Sequence, residues 1–132
     1  MRYRSFFAAG LLLLAACAGY STGPGYGGGG GGQGGGGGGP VGSVTVGPGI
    51  QFVSAHDGSQ NPAVASIAVG ATVTWTWSGS LRHSVQSTGT TSFTSSPIMS
   101  SGTYAAQFNT PGTYHYICAV HGASMSGTVI VQ

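Results

Sequence analysis

The stretch "YHYICAVHGASM" places a thiol, an imidazole and a thioether close together, at Cys118, His121 and Met125. A thiolate beside an imidazole and a thioether is a metal-ligand set of soft donors. Period 2 puts Cys118 on the strand face that also carries Tyr114 and Tyr116,. Those rings need a core, so the thiol is expected to point inward. His121 and Met125 follow in a loop before the last strand, and a loop that turns back can bring all three groups to one point. A fourth donor has three candidates: His56, His83 and His115. His115 alternates to the face opposite Cys118. His56 lies in "SAHDGSQNP", which reads as a polar loop. His83 opens "HSVQS" after the turn "SGSLR", a strand end from which a ligand can project off a rigid support.

Two imidazoles, one thiolate and one thioether suit copper, as a trigonal His2Cys site with a weak axial Met. Structural zinc prefers several cysteines or histidines and seldom uses methionine. No carboxylate is near, so the donor type excludes magnesium and calcium. Taken singly, a cysteine or methionine is ordinary apolar filler; the combination at this spacing carries the metal expectation. Met99, in "SSPIMSSG", is expected to pack rather than to ligate. Trp75, Trp77, Tyr104, Tyr114 and Tyr116 are expected in the core or at its edges.

The elements that must position these donors read as strands. "ATVTWTW" alternates Val73, Trp75 and Trp77 against Thr72, Thr74 and Thr76, and "TYHYIC" and "GTVIV" alternate similarly,. "SVTV", "IQFVS", "SIAV", "HSVQS" and "YAAQF" supply further candidates, separated by the turn signals "GPG", "SGS" and "TPG",. No stretch has convincing helical periodicity. Roughly seven or eight short strands over residues 41–132 predict an all-β, Greek-key antiparallel β-sandwich.

These residues carry a resemblance. "CAVHGASM" resembles the ligand loop of the cupredoxins, the small blue copper proteins that include plastocyanin, pseudoazurin and amicyanin. "VGATVTWTW…LRHSV" resembles their strand leading to the first histidine ligand, and "FNTPGTYHYIC" their penultimate strand. The resemblance spans nearly the whole domain, from Ile50 to Gln132. It implies that His83, Cys118, His121 and Met125 ligate one type 1 copper ion. It also implies a cupredoxin sandwich and one-electron transfer by Cu(I)/Cu(II) cycling, not an enzyme activity. Multicopper oxidases and nitrite reductases need further histidine-rich copper sites, and this chain has 4 histidines. The other reading of the same site is a copper-delivery or buffering module without a redox partner. Ser84 and Ala119 stand where many relatives carry Asn and Ser or Thr, a pair that links the ligand loops. Val120 replaces a proline of several relatives, and the His121–Met125 gap varies within the family. The resemblance therefore fixes neither the reduction potential nor the subfamily.

Composition narrows the partners. Lys plus Arg total 3 and Asp plus Glu 1 in 132 residues, and beyond residue 17 only Asp57 and Arg82 remain. This domain lacks the basic surface that nucleic acid requires. It is expected to be a monomer that docks weakly on redox proteins near His121. Leu81 would add to an uncharged patch there, and Arg82 could orient an acidic partner. Residues 1–16, "MRYRSFFAAGLLLLAA", read as a secretory signal whose apolar run is too short for a permanent span,. "LAAC" resembles the bacterial lipoprotein box, which implies cleavage before Cys17 and lipid on that cysteine. The A-x-A pattern Ala16–Ala18 offers the alternative of a soluble, exported protein. The lipid-anchored reading is favoured, because a cysteine there is otherwise hard to explain. Residues 18–40 are glycine-rich with nothing apolar to bury, and read as a tether spanning about 25–30 Å. The whole is expected to be extracytoplasmic, periplasmic or on the cell surface.

Overall fold

The computed structural model describes residues 41–132; the signal, Cys17 and glycine-rich tether expected over residues 1–40 lie outside the described residues. Eight strands are described: β1 Ser43–Val46, β2 Phe52–Ser54, β3 Ala63–Ile67, β4 Thr72–Trp77, β5 Gln86–Thr88, β6 Thr103–Gln107, β7 Gly112–Cys118 and β8 Gly122–Val131. They form two four-stranded sheets, ordered β2-β1-β4-β6 and β3-β8-β7-β5. The all-β sandwich is as expected. Two of its pairs, β1 with β4 and β3 with β8, are nevertheless parallel, so both sheets are mixed. Local alternation says which face of a strand is buried but not which distant strand lies beside it.

The alternation that predicted β4 and β7 is the alternation observed. Val73, Trp75 and Trp77 are buried from one sheet, and Tyr114, Tyr116 and Cys118 from the other. Trp75 is the centre of an aromatic cluster. It stacks on Phe93 at 5.7 Å, meets Tyr116 edge-on at 5.4 Å and lies 5.9 Å from Tyr104. Edge-on and offset contacts at such distances stabilise beyond the area they bury. This cluster sits beneath the Cys118 end of β7, because Tyr116 is two residues before Cys118 on the same face.

Three boundaries differ from expectation. "SIAV" is not a strand as such: β3 begins earlier, at Ala63, and ends at Ile67. "HSVQS" becomes a strand only from Gln86, with His83 in an isolated bridge to Met99. The last strand begins at Gly122 rather than at Gly127, so Met125 lies within β8 and not in a loop ahead of it.

Candidate metal centre

β7 delivers Cys118 to the end of the sandwich, fully buried. The turn Ala119–His121 follows, and the pairing Cys118↔Gly122 closes it. Gly122 has φ 62°, a left-handed conformation that lets the chain reverse immediately after His121,. The register then slips between Ile117, which pairs with Ser126, and Cys118, which pairs with Gly122. Ala123, Ser124 and Met125 bulge out of the ladder, and a bulge re-aims side chains. Met125 emerges fully buried, at 0% exposure, on the core side with Cys118.

His83 arrives from the other direction, between β4 and β5, and is 1% exposed. Its Nδ1 lies 3.8 Å from Cys118 Sγ, and Nδ1 of His121 lies 3.5 Å from the same sulfur. The two imidazole rings are 4.9 Å apart. One nitrogen from each histidine and the sulfur fall within 4.8 Å of one another. Donors held about 2.0–2.3 Å from one first-row ion, at tetrahedral to trigonal angles, stand about 3.5–3.8 Å apart. The two sulfur–nitrogen separations therefore fit a single ion. Burial, and then the neighbouring His121, lower the pKa of His83, which favours the neutral imidazole,. The other ring nitrogen, Nε2, is buried without a hydrogen-bond partner. Of the remaining fourth-donor candidates, His115 is exposed on the outer sheet face, 3.1 Å from Thr128 Oγ1. His56 lies in the turn after β2. Met99 is partly buried and packs against the core.

The loops that carry His83 and Cys118 are tied together. The amide of Ala119 donates to Ser84 Oγ at 2.9 Å. Ser84 is itself buried, so a backbone amide supplies the donor that the side chain of Ala119 lacks. Ser84→Ala removes that acceptor, and we expect the metal-free protein to lose about 1 kcal/mol, measured by denaturant unfolding.

Residues 59–132 match the family model of copper-binding proteins of the plastocyanin/azurin family. Amicyanin-alpha of Methylorubrum extorquens is 40% identical over 77 residues, a match that covers 55% of this chain and 63% of that protein. Among solved structures, a purple cupredoxin from Nitrosopumilus maritimus superposes with a TM-score of 0.56 at 28% identity, covering 68% of this chain and 98% of its own. A Cu(I) form of an amicyanin variant gives 0.54 at 23% identity, covering 68% and 80%. The chain belongs to the copper-binding plastocyanin/azurin family, a cupredoxin by fold, and copper is its cofactor.

Proposed function

We propose that this domain carries single electrons between redox proteins outside the cytoplasm. His83 Nδ1, His121 Nδ1 and Cys118 Sγ would hold one type 1 copper ion, with the Met125 thioether as a fourth, weaker donor. The convergence of that sulfur with both Nδ1 atoms on a closed sandwich carries the reading. When bound, the ion supplies one-electron chemistry between Cu(I) and Cu(II). The chain's own part is to keep the donors still. Cys118 is held by its pairing with Gly122, Met125 by its burial next to the paired Ser126, and His83 by its buried backbone, a rigid setting suited to both oxidation states,.

His121 is the half-buried member of the set, and its ring edge is the natural point of electron exit. Exposed Val120 adjoins it in sequence, and exposed Leu81 and Arg82 precede His83, a nearly neutral surface suited to brief docking,. With Asp57 and Arg82 the only charged side chains beyond residue 17, electrostatic steering is weak,. We expect the electron-transfer rate with an uncharged mediator or a neutral partner protein to change by no more than about twofold between roughly 0.01 and 1 M salt, measured by stopped flow. The signal-like start, the lipoprotein-type "LAAC" and the glycine-rich segment support export and a lipid tether at Cys17,.

Titrating the full chain with Cu(II) tests the reading. One equivalent should develop an intense visible thiolate-to-copper absorption that a reductant bleaches and an oxidant restores. A wild-type protein that stays colourless would end it. A coloured protein that passes Cu(I) to acceptors faster than it exchanges electrons would instead make it a copper-delivery module.

A further inference from the structure

The first histidine of the site is held by a segment that is not a strand. His83 exchanges two backbone hydrogen bonds with Met99, each 2.8 Å, in an antiparallel bridge. Continuing that ladder by two residues would pair Val85 with residue 97. That residue is Pro97, which has no N–H to give,. Ser96 takes over at this point. Its amide donates to the Val85 carbonyl at 2.9 Å. Its hydroxyl accepts from the Val85 amide at 2.8 Å and donates onward to the Pro97 carbonyl at 2.9 Å. The side chain is thus spliced into the ladder as a relay where the direct backbone bond is missing. Further along, Ser95 Oγ accepts from the Ser87 amide at 3.0 Å, and Ser87 Oγ accepts from the Phe93 amide at 3.1 Å.

The consequence falls on His83. From the other side, Ser84 Oγ is already engaged by the Ala119 amide in the Cys118 loop. The backbone on both sides of the imidazole is therefore fixed, by the strap Phe93–Met99 on one side and by the cysteine loop on the other. His83, Ser84 and Val85 are all buried, while Ser96 is half-buried beside them.

We propose that Ser96 is a positioning residue for the copper site: its hydroxyl, by bridging the Val85 amide to the Pro97 carbonyl where the proline interrupts the ladder, sets the direction from which His83 meets Cys118. The proposal rests on His83 being a ligand, as in the reading above.

The full chain loaded with Cu(II) provides the test, in wild type and in Ser96→Ala, Ser96→Thr and Ser95→Ala. Ser96→Ala should alter the relative intensities of the visible bands and the copper hyperfine splitting in electron paramagnetic resonance. It should also speed copper loss to a chelator by about tenfold. Ser96→Thr, which keeps the hydroxyl, should restore the wild-type spectrum. Ser95→Ala removes a similar bond farther from His83 and should leave the spectrum unchanged. If Ser96→Ala does not fold, Ser96→Val against Ser96→Thr isolates the hydroxyl in equal shapes. Wild-type spectra and chelation rates in the variant lacking the hydroxyl, with only the metal-free melting temperature lowered, would overturn the proposal. A wild-type protein with no thiolate band would fail the copper reading instead, and the two failures are distinguishable.

Discussion

Cys118→Ala leaves a folded, colourless protein. The thiolate is the strongest donor in the set, and its removal leaves two imidazoles and a thioether, a neutral and weaker set of donors,. The thiolate-to-copper absorption should vanish completely, and copper should be lost on dialysis. The fold should survive, because the substitution deletes one sulfur from a buried position and costs about 1 kcal/mol. The decisive comparison is thermal. A ligand at 1,000 times its Kd stabilises the native state by about 4 kcal/mol, so copper should raise the Tm of wild type strongly and that of Cys118→Ala hardly at all. A variant that kept both the colour and the copper-induced rise would remove Cys118 from the site.

The parts of this site that were legible in the sequence are those written in a local period. Tyr114, Tyr116 and Cys118 alternate with Thr113, His115 and Ile117, and that alternation alone predicted an inward thiol and an outward His115. Val73, Trp75 and Trp77 did the same for the opposite sheet. Met125 was harder. The slip between Ile117 and Cys118 depends on how two strands meet, so its sequence reads equally as a loop, and only the register shows a bulge inside β8. His83 reads as a strand end, yet its support comes from Met99 and Ser96, in a stretch whose serines and proline look like a disordered connection. A proline that cannot pair, with a serine immediately before it, was the available signal. Its partner strand could not be read from local pattern. The tie between the ligand loops shows the same limit. Side-chain identity suggested that Ser84 and Ala119 had lost it, but the backbone amide of Ala119 makes it. Backbone donors are common to every residue except proline and leave no mark in a sequence.

The largest effect on the fold is expected from a residue that carries no side chain. Gly127 lies in β8 directly opposite Tyr116 in β7, on the inward face between Met125 and Val129. The phenol ring of Tyr116 crosses the space that a Cβ at Gly127 would need, overlapping it at Cζ, Cε2 and the hydroxyl. The ring cannot simply move away. Phe52 stands edge-on to it at 4.9 Å and Trp75 at 5.4 Å, and Tyr116 is fully buried. Its hydroxyl lacks a hydrogen-bond partner, and burial raises its pKa above the ordinary phenol value, so it stays neutral,. Gly127→Ala should therefore cost about 3 kcal/mol through overpacking, a fall in Tm on the order of 10–20 °C. Gly89→Ala is the control: a Cβ there meets nothing within 4 Å, and only its φ of +89° opposes the change, at about 1 kcal/mol. Tyr116→Val should be destabilising alone, yet it should recover part of the loss when combined with Gly127→Ala, with a coupling of about 1–3 kcal/mol. Strict additivity of the two changes would mean that the ring does not occupy the space of the missing side chain. Because Tyr116 precedes Cys118 by two residues on one strand face, the single variant should also broaden the copper spectrum, whereas Gly89→Ala should leave it sharp.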